Sequence, residues 1–112
     1  MKRYCLTLDL KNDAALIRQY EDYHRKVWPE IVESIKDAGI NGMEIYRFGT
    51  RMFMIMEVDD SFSFERKQFL DKNNKKVVEW EELMLKFQQR LPGTAEGEKW
   101  MVMDKIFNLT DY

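Results

Sequence analysis

Two apolar segments separated by a Gly-Thr pair restrict the possible folds of this chain more than any other feature of its sequence. Residues 43–48 (MEIYRF) and 51–58 (RMFMIMEV) both have the composition of β-strands, and Gly49-Thr50 between them predicts a tight hairpin turn. The second segment is apolar on both faces, with Phe53 and Ile55 on one face and three methionines and a valine on the other (Met52, Met54, Met56, Val58). Such a strand is normally covered on both sides.

The segments before this hairpin predict a strand followed by a helix. Residues 2–10 alternate, with apolar side chains on one face (Tyr4, Leu6, Leu8, Leu10). Asn12 or Asp13 can cap the following helix, whose apolar positions recur every three or four residues (Ile17, Tyr20, His24, Val27, Ile31, Ile35). Pro29 predicts either a kink or the start of a second short helix, and Gly39 predicts the end.

The segments after the hairpin predict two more helices and a last strand. Residues 61–70 can form a helix, which KNNKK (72–76) interrupts. A longer helix then carries one apolar stripe up to Pro92 (Val77, Trp80, Met84, Phe87, Leu91). After a loop over residues 94–98, WMVMDKIFNL (100–109) predicts the closing strand.

The resulting order, β-α-β-β-α-β, predicts one ferredoxin-like α+β domain over residues 1–112, with an antiparallel sheet and both helices on one face. The other sheet face is predicted to be apolar as well. A second subunit is the simplest cover for it, because large exposed apolar patches are unusual on monomers. We therefore expect a homodimer with the two sheets face to face, a dimeric αβ barrel.

The charge and the cysteine content restrict the possible binding partners and the cellular compartment of the protein. The formal net charge of the 112 residues is −2, which offers no electrostatic reason to expect nucleic acid or an anionic membrane. Cys5 is the single cysteine, so an intrachain disulfide is excluded and a reducing cytoplasm is expected. No apolar run approaches the ~20 residues that span a bilayer, and the N-terminus does not have the pattern of a signal peptide.

The single histidine, His24, is the candidate functional residue. Tyr20 and Trp28 lie four residues before and after it, on the same side of the predicted helix, and Trp80 points inward from the second long helix. A pocket lined by Tyr20, His24 and Trp80 combines polar groups with aromatic walls, as a sugar site requires. The alternative from spacing is a packed histidine that bonds a backbone carbonyl, and this alternative is the commoner one.

Other site chemistries fit the sequence less well. One histidine and one cysteine far apart argue against a zinc site, and the sequence contains no Gly-rich phosphate loop. Tyr4, Cys5 and His24 form no recognisable nucleophile–base motif. We therefore expect no metal and no cofactor.

At these residues the chain resembles a known family. The pattern Tyr20-x-x-x-His24-x-x-x-Trp28-Pro29-Glu30, followed by Ile45-Tyr46 and an apolar strand, is similar to the L-rhamnose mutarotases. The resemblance extends over nearly the whole chain. It implies a small dimeric ferredoxin-like enzyme that interconverts the α and β anomers of a 6-deoxy-L-sugar, a monosaccharide substrate.

The resemblance also implies residue roles. His24 is the expected acid/base residue with Tyr20 assisting it, and the expected sugar-binding residues are Tyr20, Trp80, Glu81 and Tyr46. The family carries two adjacent tryptophans where this chain has Trp80-Glu81, which leaves L-rhamnose and L-fucose both open. Two further classes remain as alternatives: a non-catalytic sugar-binding domain, and an oxygenase-like αβ-barrel protein with His24 near haem or an aromatic substrate.

Overall fold

An antiparallel sheet with four helices packed on one face forms the structure, a computed structural model that describes residues 2–112. The strands are β1 (Lys2–Leu10), β2 (Ile40–Phe48), β3 (Arg51–Val58), β4 (Gln88–Gln89) and β5 (Met101–Val102). The helices are α1 (Ala14–Arg25), α2 (Pro29–Asp37), α3 (Phe64–Lys72) and α4 (Lys75–Leu85), with a 3₁₀ turn at Leu109–Asp111.

The strand order is β2-β3-β1-β4, and β5 also pairs with β1. β1 and β3 pair antiparallel from Lys2↔Val58 to Asp9↔Arg51, and β2 pairs with β3 across the Gly49 turn. Gly49 has φ +61, a conformation that costs glycine little. The ferredoxin-like arrangement is therefore confirmed, with β4 and β5 sharing the place of the fourth strand.

The core lies between the sheet and the helices. The predicted inward face of β1 is buried, and so is the methionine face of β3 (Leu6, Leu8, Leu10, Met52, Met54, Met56, Val58). Helix residues close over them, among them Tyr20, Ile31, Val77, Trp80 and Met84. On the helix-free face, Phe53 and Ile55 are half-buried while Tyr46 and Phe48 are exposed.

Pro29 starts a second helix, which confirms one of the two predictions made for it; the other was a kink in a single helix. Trp28 takes an extended ψ of 135 as the N-cap of α2, and Pro29 opens that helix. A proline is tolerated in the first turn because its missing N–H would have had no partner there. Asp13, rather than Asn12, caps α1 by accepting from the Ala15 and Leu16 amides. Gly39, with φ +92, follows the end of α2 as predicted.

The last predicted helix was too long. α4 ends at Leu85, and the Phe87 amide turns back to the Met84 carbonyl. Phe87 is buried beneath the Tyr20 ring instead of continuing a helical stripe. Its carbonyl accepts from the Lys11 amide at 2.8 Å, so the chain pairs with the end of β1 as β4. Tertiary pairing has thus overridden a helical periodicity that continued for six further residues to Leu91.

The predicted strand over residues 100–109 was also too long. Only Met101–Val102 pairs with β1, followed by one further bond from the Met103 amide to the Cys5 carbonyl. Ile106, Phe107, Leu109 and Tyr112 are then exposed. This segment finds no strand partner within the described part of its own chain. Across residues 2–112, the helices fall short of the length and apolar character needed to cross a membrane.

Candidate functional site

A cavity of about 520 Å³ lies between the helices and the sheet. That volume is within the range of small-molecule sites, roughly 300–1,000 Å³. Its lining combines apolar sheet and helix residues with a few polar groups (Tyr20, His24, Ser34, Met43, Ile45, Met54, Lys67, Asp71, Trp80, Glu81, Gln88, Lys99, Trp100). The cavity therefore brings together four of the five residues that the sequence assigned to the site.

His24 lies in the last turn of α1, where its ring reaches the cavity. Its Nδ1 lies 2.8 Å from the Tyr20 carbonyl oxygen. Because a carbonyl can only accept, Nδ1 carries the proton and Nε2 is the acceptor of the neutral ring. Burial lowers the pKa of His24 and outweighs the bond to the Tyr20 carbonyl, which raises it. The imidazole is therefore uncharged at neutral pH and has a basic nitrogen available.

Tyr20 lies one helical turn before His24, and its ring centroid is 4.4 Å from the imidazole. The ring is buried against Phe87. Burial raises the pKa of Tyr20, and a hydrogen bond from Gln88 partly opposes that rise. The phenol thus keeps its proton at neutral pH. A neutral imidazole and a protonated phenol consequently lie ring beside ring at one cavity.

Trp80 forms an aromatic wall beside this pair. Its ring centroid is 5.7 Å from that of His24 and 5.0 Å from that of Trp28, both in edge-on geometry. Trp80 is 8% exposed and also belongs to the core, so it has a packing role whatever else it does. Trp28, which lies between α1 and α2, contacts Trp80, and Trp80 in turn contacts His24.

A family model described as L-rhamnose mutarotase matches residues 3–109, almost the entire chain. The chain belongs to the L-rhamnose mutarotase family. Because this is a family of sugar isomerases, membership favours an enzyme over the binding-domain and oxygenase-like alternatives.

Relatives and solved structures agree with the family and the fold. The chain is 46% identical to the L-fucose mutarotase of Xanthomonas campestris pv. campestris, over 99% of this chain and 90% of that protein. The crystal structure of an L-rhamnose mutarotase from Formosa agariphila superposes with a TM-score of 0.72 at 19% identity, covering 97% of this chain and 99% of that one. A dimeric ferredoxin-like protein from an uncultured marine organism gives 0.53 at 14% identity, covering 95% and 90%.

The remaining predicted site residues lie at the edge of the cavity or away from it. Glu81 is at the edge, where its carboxylate is 3.5 Å from the Lys99 ammonium. Tyr46 lies on the helix-free face of the sheet, opposite Phe53, and its hydroxyl donates to Glu44 at 3.1 Å. A residue on that face has no contact with the cavity of its own subunit. Sugar binding by Tyr46 stays a prediction that the geometry of one chain does not support.

Several polar cavity residues were not assigned to the site by the sequence analysis (Ser34, Lys67, Asp71, Gln88, Lys99), and Gln88 is the one that contacts Tyr20. The Gln88 Nε2 donates to the Tyr20 hydroxyl at 3.4 Å. The predicted helix would have placed Gln88 four residues after Met84, beside the apolar stripe, but the sequence pattern gave this residue no role. In the structure the same residue pairs with the inward-facing Leu10 as part of β4. The local sequence pattern signalled neither the early end of α4 nor the pairing of Gln88 with Leu10.

Proposed function

We propose that this protein interconverts the α and β anomers of a 6-deoxy-L-hexose by acid/base opening and closure of the sugar ring. The observation that carries the proposal is the pairing of two groups at one cavity: the neutral imidazole of His24, with Nε2 as acceptor, and the protonated hydroxyl of Tyr20. Ring opening needs one group that removes a proton and one that supplies a proton, and this pair provides both.

The steps balance without any other reactant. His24 Nε2 takes the proton of the anomeric hydroxyl while Tyr20 donates its proton to the ring oxygen, so the C1–O5 bond breaks and a carbonyl forms. Rotation about the C1–C2 bond presents the other carbonyl face. The ring oxygen then adds to C1, its proton returns to Tyr20, and His24 gives its proton to the new anomeric oxygen. Trp80 supplies the aromatic wall against which the apolar sugar face packs.

We propose L-fucose as the preferred sugar and L-rhamnose as the second. The support for this order is the 46% identical relative, which is named an L-fucose mutarotase. Glu81, which pairs with Lys99 at the edge of the cavity, takes the place where the family pattern has a second tryptophan. A charged pair offers hydrogen bonds to sugar hydroxyls where an indole would offer mainly an apolar surface.

We further propose that the protein is a cytoplasmic homodimer joined through the helix-free sheet faces. The centre of that face is apolar around Phe53 and Ile55, and ion pairs lie at both its ends (Arg3–Glu57 and Asp9–Arg51). An apolar centre with a polar rim is the usual anatomy of a protein interface. The exposed apolar side chains of residues 106–112 add to the surface that a second copy would cover. The unpaired Cys5 is consistent with a reducing compartment.

The test is anomer exchange, measured by saturation-transfer proton NMR between the α and β anomeric signals of L-fucose and of L-rhamnose. The wild-type protein should accelerate exchange. His24→Asn should slow it by roughly 10²–10⁴-fold, the usual contribution of one positioned proton-transfer group. A melting curve of the same preparation should show a folded protein. Normal exchange by a destabilised His24→Asn variant would identify His24 as a packing residue.

Two tyrosines of α1 supply a matched pair of variants. Tyr20→Phe removes the hydroxyl of the proposed acid and should slow exchange roughly 10²-fold or more. Tyr23 also contacts Trp80 and Phe87 through its ring, but it is partly exposed and does not line the cavity. Tyr23→Phe should therefore exchange anomers at the wild-type rate. Equal effects of the two substitutions would argue against Tyr20 as the acid.

A further inference from the structure

We propose that Gln88 is a substrate-binding and positioning residue: its Nε2 holds the Tyr20 hydroxyl, and its Oε1 accepts a hydrogen bond from a ring hydroxyl of the bound sugar. This inference rests on the proposed function, because it concerns the same cavity. It assigns a contact that the family resemblance does not imply and that the sequence pattern did not indicate.

The first support is an unpartnered oxygen. Among the described residues 2–112, Gln88 Oε1 is the buried side-chain polar atom that lacks a hydrogen-bond partner. Buried polar groups in folded proteins are nearly always paired, since an unpaired acceptor keeps the full cost of its desolvation. Gln88 also lines the cavity. A donor that enters the cavity would satisfy this oxygen, and a sugar hydroxyl is such a donor.

The second support is the rigidity of the Gln88 backbone. Gln88 pairs with Leu10 at the end of β1, and the preceding Phe87 carbonyl accepts from the Lys11 amide at 2.8 Å. Phe87 itself is 3% exposed and anchors the turn in the core. These contacts fix the Gln88 backbone beside the cavity, with the carboxamide next to the Tyr20 hydroxyl.

The third support is the direction of the bond to Tyr20. Because the Gln88 Nε2 is the donor, the Tyr20 hydroxyl is the acceptor in this bond, and the tyrosine's own proton remains available to the sugar. One carboxamide thus orients the acid and, through its other atom, contacts a neighbouring hydroxyl. A site that bonds a substrate hydroxyl in this way discriminates strongly against sugars that lack it.

The experiment compares Gln88→Met with Gln89→Met in the anomer-exchange assay. Methionine has the length of glutamine without its polar atoms, and Gln89 is the exposed neighbour whose Nε2 bonds only the Arg90 carbonyl. Gln88→Met should raise KM by roughly 3- to 10-fold, the expected value of one hydrogen bond, and should lower kcat because Tyr20 loses its orientation. Gln89→Met should behave as wild type.

Unliganded stability separates this role from a structural one. Gln88→Met removes a buried unpaired oxygen, which favours the folded state, and the long 3.4 Å bond to the Tyr20 hydroxyl, which opposes it, so the melting temperature without sugar should change little. A purely structural glutamine predicts a lower melting temperature with an unchanged KM in the folded fraction, and that result would overturn the proposal.

A second variant guards against a failure of Gln88→Met to fold. Gln88→Glu has the same shape and keeps oxygen acceptors for the sugar, but its carboxylate draws the Tyr20 proton toward itself. At pH 8 it should keep a KM close to wild type while kcat falls. A raised KM with normal kcat would contradict the assigned bond directions.

Deoxygenated sugars identify the hydroxyl. The KM penalty of Gln88→Met should disappear for one of the 2-, 3- and 4-deoxy derivatives of the preferred sugar, and equal penalties for all three would overturn the sugar contact.

The wild-type assay judges the proposed function separately: no acceleration of exchange for either parent sugar would remove both proposals. Normal wild-type exchange with unchanged constants in Gln88→Met would remove this one only.

Discussion

His24 shows how one backbone bond decides what a side chain can do. Its Nδ1 donates to the carbonyl of Tyr20, four residues earlier in the same helix. This is the geometry of a packed histidine, and it is also the geometry that directs a basic Nε2 at a cavity. The two interpretations of a lone histidine on an apolar face are therefore not exclusive in structure. The surroundings of the imidazole, with the Tyr20 and Trp80 rings at one cavity, are what favour a functional histidine over one that only packs.

The pH dependence of exchange should reflect the lowered pKa of His24. Burial keeps this pKa below its ordinary value of 6.5, so the base is ready at neutral pH. We expect kcat/KM to be flat around pH 7 and to fall with acid, with a midpoint below 6.5. Exchange rates measured from pH 4.5 to 8, corrected for the spontaneous reaction, check this. A midpoint above 6.5 would contradict the effect of burial.

The same lowered pKa links stability to pH. Between the pKa of folded His24 and about 6.5, the unfolded chain binds more protons than the folded one, so the free energy of unfolding falls as pH falls. His24→Asn cannot take up this proton. We expect urea denaturation at pH 8 and pH 5 to show a larger loss for the wild type than for His24→Asn. Equal losses would show that His24 is not desolvated in the folded state.

Trp80 should contribute to the sugar site as well as to the core. Trp80→Phe keeps an aromatic ring but shortens the wall beside His24, so the variant should fold and bind sugar more weakly. Tryptophan fluorescence titrated with L-fucose and L-rhamnose measures the change. If saturating sugar leaves wild-type fluorescence unchanged, and Trp80→Phe has full activity, Trp80 is a core residue only.

At the scale of elements, α1 carries both of the proposed proton-transfer residues, Tyr20 and His24, in its last two turns, so its stability governs the candidate site. The Asp13 carboxylate accepts from the Ala15 amide at 2.9 Å and the Leu16 amide at 3.0 Å. These bonds satisfy donors that the helix cannot pair internally. α2 then starts afresh at Pro29, which allows α1 to end at Arg25, directly after His24.

Removal of this cap should destabilise the protein. Asp13→Ala should cost about 0.5–2 kcal/mol, measured as the free energy of unfolding in urea at fixed protein concentration. Asn12→Ala is the matched control, because the sequence offered both residues as caps and the structure uses Asp13. We expect little change from Asn12→Ala. The reverse ranking of the two variants would place the start of α1 one residue earlier.

At the scale of the whole molecule, one chain does not cover its own apolar surface. The helices pack on one side of the sheet, while the other side presents Phe53, Ile55 and the exposed Phe48. The C-terminal residues leave the sheet after Met103, with Ile106 95% exposed. Covering both surfaces with a second copy gives the closed two-fold assembly that small soluble proteins most often adopt.

Light scattering at micromolar concentration should therefore give the mass of a dimer. Ile55→Glu places a charge at the centre of the helix-free face, where burial of an unpaired carboxylate is costly, and should yield monomers. Val32→Glu makes a similar change on the exposed side of α2 and should remain dimeric. A wild-type monomer would rule out this assembly, and a dimeric Ile55→Glu would move the interface elsewhere.

The sequence by itself determined the layered architecture and which residues meet at the candidate cavity, Tyr20, His24 and Trp80. Alternation identified the inward faces of β1 and β3, and helical spacing put Tyr20 and His24 on one side of α1, because both are local properties of a strand or a helix. Pro29 and Gly39 marked helix limits for the same reason. The aromatic character of the pocket also followed, since Trp80 lay on a clear apolar stripe.

Only the tertiary structure decided where α4 ends, where the last strand stops and which face carries Tyr46. Helical spacing continued past Leu85, but pairing of Gln88 with Leu10 and burial of Phe87 stabilise a strand there instead. Such long-range contacts override weak local preferences, and no local pattern encodes them. The Gln88 carboxamide bonds to Tyr20, which lies 68 positions earlier in the sequence. Two residues that far apart come into contact only when the whole chain folds.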